Sequence, residues 1–172
     1  MDLDLTRNER LMLANQYAIL AKLDDDPDYA RLATALREGH KYLYSQILDQ
    51  ISEDLPKSKE ELVLSILGIY GDLNASYKQL VDKTGIEEND TIFPGFDGNN
   101  EGDLLSFSDA LTKNGQFDET IGPRGKNSHF PTVDGYRRMI RKAEILGKPL
   151  YPYAKDVIEQ IIHARRHPDA VE

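Results

Sequence analysis

The densest run of side-chain oxygens in this 172-residue chain is Phe93-Pro94-Gly95-Phe96-Asp97-Gly98-Asn99-Asn100-Glu101-Gly102-Asp103. Asp97, Asn99 and Glu101 occupy alternate positions, Gly102 stands sixth and Leu104 eighth, which is how a calcium-binding loop opens. The correspondence then stops. Position twelve is Ser108 where such a loop needs a bidentate Glu, and Pro94-Gly95 stands where its entering helix should end. The same residues can also build a turn without any ion, because Asp and Asn side chains accept hydrogen bonds from their own backbone and Gly98 permits a positive φ. A loop-holding turn and a ligand or partner site are the two expectations that remain for this run.

A second run follows, Asn127-Ser128-His129-Phe130-Pro131-Thr132. Thr132 reads as a helix N-cap, so the free amides beyond it could receive a small anion, with His129, Arg124 and Lys126 close by in sequence. Ser128 beside His129 is no nucleophile and base, since neighbours in extended chain face opposite ways. The ordinary task of a loop histidine is to pin its loop, here to an acid of the Asp97 run. On the helix after Thr132, Arg137, Arg138, Arg141 and Lys142 oppose a core stripe of Tyr136, Met139, Ile140, Ala143 and Leu146. Arg137 and Arg138 stand near the helix start, where the macrodipole disfavours cations, so they call for an anionic partner from a loop or a second subunit. The C-terminal group His163, Arg165, Arg166 and His167 reads as a helix end that complements its dipole.

The elements that must position these residues are helical. Thr6 and Glu9 have capping-box spacing, and Leu13, Tyr17 and Leu20 continue a helical stripe. Asp26-Pro27 opens a second helix that Gly39 closes, and Tyr44, Ile47, Leu48 and Ile51 suggest a third before Pro56. Ser58 and Glu61 predict another capping box, beginning a helix that runs to about Lys83 and spans about 37 Å. Two apolar stripes on it predict the central position, and Gly68 and Gly71 could admit a close backbone. Beyond Ile86 glycines and prolines predominate, broken by a short helix near Asp103 to Lys113. All five phenylalanines lie there and argue for packed loops. Helices from Thr132 to Gly147 and from Ala154 to Arg166 complete the pattern, and no strand pattern is long enough for a sheet.

Charge and composition exclude several classes. The chain carries 21 Lys plus Arg against 30 Asp plus Glu, a net charge of −9, which disfavours nucleic acid and anionic membranes as partners. A weak nucleic-acid contact through Arg137, Arg138, Arg141 and Lys142 would show as steep salt dependence. The absence of cysteine removes disulfides, thiolate metal sites and cysteine nucleophiles, and fits a reducing compartment. The first residues are acidic and polar, unlike a secretory signal, and no apolar run approaches membrane-spanning length. Asp82 to Glu119 holds ten acids against two lysines, whereas Gly122 to Lys142 reverses the sign, so the stretches could attract each other or simply be solvated.

The chain resembles the bacterial YfbU family in several places. Near the N-terminus these are Leu5-Thr6, Glu9-Arg10-Leu11 and Asn15-Gln16-Tyr17, and in the long helix Tyr70 and Ser76-Tyr77. The likeness continues through Phe93 with Gly95-Phe96-Asp97-Gly98-Asn99-Asn100-Glu101, then Asn127-Ser128-His129 with Pro131 and Tyr136-Arg137-Arg138-Met139. The resemblance implies an all-helical intracellular protein of uncharacterised function and brings with it no catalytic residue or cofactor. The expected architecture is a single all-α domain over residues 1–172, about six helices around one long central helix, with long loops bearing glycine and proline. The expected function is a non-catalytic binding or regulatory role in the cytoplasm, in a homo-oligomer, with a small anion or a protein as partner. Its polar site comprises Asp97, Asn99, Asn100, Glu101, Asn127, His129, Arg137 and Arg138, with no cofactor assigned. The alternative is a metal-assisted hydrolase using Asp97 and Glu101 as ligands and His129 as general base.

Overall fold

A computed structural model of the chain describes residues 4–45, 52–122 and 126–166. Among them the secondary structure is all-α: nine helices and one isolated β-bridge. Ile47, Leu48, Ile51, Arg124 and His167 lie outside the described residues. Contacts gather the chain into two compact units, Met1–Asp54 and Leu55–Glu172.

The first unit holds α1 (Arg7–Leu23), α2 (Pro27–Glu38) and α3 (Lys41–Ser45). Its local signals are realised as read. The Thr6 hydroxyl accepts from Glu9 N and the Glu9 carboxylate accepts from Thr6 N, so two orphan donors of the first turn are satisfied reciprocally. Asp26 caps α2 with Pro27 behind it, and Gly39 ends it at φ 79°. Ala14, Leu36 and Tyr44 form the small core, with Leu13 and Tyr17 packed against it. Leu11, Met12, Ile19 and Leu23 remain exposed.

In the second unit α4 (Lys57–Gln79) is central, touching α5 (Glu88–Thr91), α6 (Gly102–Lys113), α7 (Asp118–Ile121), α8 (Val133–Ile145) and α9 (Lys155–Arg166). Both of its ends differ from expectation. Pro56 takes the N-cap position without a side-chain bond, which puts Ser58 inside the helix and leaves no Ser58–Glu61 capping box. At the other end Leu80 turns extended at ψ 133°, and Asp82 accepts from Thr84 N in a tight turn, so Val81 is exposed rather than part of an apolar stripe. Gly71 meets the Thr120 hydroxyl, with 3.2 Å left for a Cβ, whereas Gly68 faces open space.

The long loops contain α5 and α7, single helical turns that have too few residues to show a period. Phe93 and Phe96 are buried against Tyr70 of α4 and Tyr136 of α8, with ring centroids 5.4–5.9 Å apart and mostly edge-to-face. Such aromatic pairs add about 0.5–1.5 kcal/mol each beyond simple burial. This cluster explains how a glycine-rich stretch has a fixed course: its phenylalanines are core residues carried on a loop. Phe130 is the exception, 58% exposed.

Candidate functional site

The two polar runs meet at a bridge between Phe96 and Asn127. Phe96 N donates to the Lys126 carbonyl and Ser128 N donates to the Phe96 carbonyl, each at 3.1 Å. Gly95, at φ 106°, makes this approach possible, because a Cβ there would lie 2.0 Å from the Lys126 oxygen. Asn127 then ties both loops with one side-chain oxygen, which accepts from Gly98 N at 3.2 Å and from His129 N at 2.9 Å. His129 follows in the left-handed region at φ 59°. By residue type, Gly98 is the one expected to permit a positive φ and His129 the one expected to pin the loop. In the structure Gly95 has the unusual φ, Asn127 does the pinning, and Gly98 is glycine because a Cβ would sit 2.7 Å from the Asn127 amide nitrogen.

Glu101 is the most heavily bonded side chain of the set. It is buried, and its carboxylate accepts from Thr132 N at 2.7 Å, Val133 N at 2.9 Å, the Thr132 hydroxyl at 2.8 Å and Asp97 N at 2.9 Å. The helix start that the sequence offered to an anion therefore already holds one, supplied by the chain itself. Thr132 caps nothing with its own side chain. Its hydroxyl lies between Glu101 and the Gly95 carbonyl, 3.2 Å away, and Tyr136 donates to that same carbonyl at 2.5 Å. Burial alone would raise the Glu101 pKa, but the backbone N–H groups of Asp97, Val133 and Thr132 more than offset it, so the carboxyl titrates below its usual range.

Asp97 is buried in the turn and accepts from Asn99 N at 3.1 Å and from the Asn100 amide. Those hydrogen bonds, led by Asn100, lower its pKa, and the nearby His129 charge lowers it further. Asn99, Asn100, Asn127 and His129 are exposed around it. The run thus forms the ion-free turn that its composition allowed. The Ser128 hydroxyl donates to the Phe130 carbonyl at 2.7 Å. Among the described residues no three His, Asp or Glu side chains are grouped so as to hold a metal ion.

Arg137 and Arg138 part company. Arg138 donates to the Ala164 and Arg165 carbonyls at 3.0 and 2.6 Å, so its anionic partner is the negative end of α9 rather than a loop carboxylate. Arg137 is exposed and forms no hydrogen bond or ion pair among the described residues. Gly135 lets the two helices close up, with 3.2 Å between its missing Cβ and Arg165 Cγ. Arg165 and Arg166 do more than complement a dipole: both pair with buried Asp90, and Arg165 also donates to the Tyr70 hydroxyl at 2.8 Å. Nothing in the sequence marks Asp90, one acid among ten in its stretch. Among the described residues, the acids of that stretch that form ion pairs use Lys59, Lys155, Arg165 and Arg166, none from the Gly122 to Lys142 segment.

A YfbU domain matches residues 3–164 of this chain. The chain belongs to the YfbU family. It is also similar to the UPF0304 protein MJECS11 of Methanocaldococcus jannaschii, with 34% identity over 167 residues covering 93% of this chain and 99% of that protein. The resemblance to a bacterial family thus extends to an archaeal relative. YfbU is a family of uncharacterised function. Among the described residues no helix is long and apolar enough to cross a membrane.

Proposed function

We propose that this YfbU-family protein is a non-catalytic binding protein of the cytoplasm whose recognition surface is the outer rim of the joined loops, and that its partner is a protein surface, including a second copy of the chain. The observation that carries this reading is the division of labour between the loops' inner and outer polar groups. The buried acids Asp97 and Glu101 are engaged in holding the loops, while Asn99, Asn100, Asn127 and His129 keep exposed polar groups beside the exposed ring of Phe130. An exposed aromatic ring on the same loops as exposed polar groups suits a protein interface, where apolar side chains form the buried centre and polar groups the rim. Arg137 adds a cation on α8 that has no ion pair among the described residues. The hydrolase alternative would require Glu101 to surrender four hydrogen bonds to a metal, which leaves the α8 start unsatisfied.

Sedimentation of the full chain against concentration, repeated with Phe130→Ala and with Asn99→Ala/His129→Ala, tests the proposal. The expected result is weaker self-association in both variants at an unchanged melting temperature, since these side chains are exposed. Unaltered association together with lower melting temperatures would make the loops scaffolding only.

A further inference from the structure

Lys126 is an unusual lysine for its surroundings. Its side chain is only partly exposed, its one hydrogen-bond acceptor among the described residues is the Thr120 carbonyl at 3.5 Å, and burial lowers its pKa with no carboxylate opposing the shift. A partly desolvated ammonium with no ion pair among the described residues gains from an anion that completes it. Its backbone is held firmly, because the Lys126 carbonyl is the acceptor that joins the two loops. Its side chain lines a cleft of about 280 Å³ whose other walls include Tyr70, Phe93, Asn74 and Lys78. Lys78 forms no ion pair among the described residues. The Asn74 amide nitrogen bonds the Thr91 hydroxyl at 3.3 Å, which leaves one of its two N–H groups to spare.

From this arrangement we infer that the cleft binds a small organic anion, its carboxylate or phosphate held between Lys126 and Lys78 with the Asn74 amide, and its apolar body against Ile92, the partly exposed apolar residue of the lining. The site is separate from the loop rim and stands without the protein-binding proposal. Glu88 and Glu119 also border the cleft. Their charge disfavours ligands with several anionic groups and selects for a single head group.

Titration calorimetry of the full chain with phenyl phosphate, benzoate and inorganic phosphate, at constant ionic strength, tests this. Phenyl phosphate or benzoate should bind saturably at one site. Lys126→Met keeps the aliphatic stem while removing the charge, and should weaken binding about tenfold or more without lowering the melting temperature. Glu119→Gln should strengthen binding, and Arg31→Ala, outside the cleft, should leave it unchanged. If Lys126→Met fails to fold, Lys78→Met at an exposed position probes the same head group. Absence of saturable heat with all three probes, or full affinity in the lysine variants, would overturn the site. Inorganic phosphate binding as tightly as phenyl phosphate would overturn the part given to the apolar wall.

Discussion

At the scale of single residues, Glu101 illustrates how a side chain suited to a ligand set becomes a structural anion. Its oxygens replace the counter-ion that the first turn of α8 would otherwise need, and they draw Asp97 N into the same cluster. Glu101→Ala should cost on the order of 2–3 kcal/mol in chemical denaturation, because buried N–H donors lose their acceptor. Glu101→Gln keeps one acceptor oxygen and should fall between that variant and the wild type. Acid dependence follows from the same bonds. Glu101 and Asp97 have folded pKa values below their ordinary 4.5 and 3.8, so their contribution is intact above those values and is lost as pH falls toward the lowered ones. Denaturation midpoints should therefore decline below about pH 4.5, and the Glu101→Gln variant should show a shallower decline.

Among the elements, α9 is joined to its unit by the core residues Ile158, Ile161 and Ile162 and, at its C-terminal end, by a few polar contacts. Arg165 and Arg166 converge on Asp90 from one side and Arg138 donates to the Ala164 and Arg165 carbonyls from the other. Asp90→Ala leaves the partly buried Arg165, among the described residues, with the Tyr70 hydroxyl as its remaining side-chain partner, and should destabilise by about 2 kcal/mol, allowing for solvent screening of Arg166. Hydrogen exchange should then accelerate in residues 155–166 before it does in α4. On α6 the reverse is expected. Asp109 has one buried carboxylate oxygen without a partner among the described residues, so Asp109→Ala should stabilise by about 1 kcal/mol, seen as a higher melting temperature.

For the molecule as a whole, we keep the single domain of residues 1–172 as a proposal, to be measured by calorimetry. One transition whose calorimetric and van't Hoff enthalpies agree would mean that Met1–Asp54 and Leu55–Glu172 unfold together, and two resolved transitions would divide them. Homo-oligomerisation is likewise proposed, and a melting temperature that rises with protein concentration is its expected thermal signature.

Local chemistry made the helices legible before any coordinates. The Thr6–Glu9 box, the Asp26-Pro27 start, the Gly39 stop and the apolar period of α4 each involve residues within a turn or two of one another, so their spacing alone specifies them. The Asp97 run was legible as a turn for the same reason. Helix ends with two competing caps were not, and Pro56 displaced Ser58 because a residue with no N–H loses nothing at a helix boundary. Which acids stay exposed and which are buried was decided by tertiary structure alone. Glu101 meets Thr132 across 31 positions and Arg165 meets Asp90 across 75, and no periodicity encodes pairings between such distant residues. They exist because the aromatic cluster of Tyr70, Phe93, Phe96 and Tyr136 folds the loops onto α4 and α8, which brings these charges within hydrogen-bonding distance.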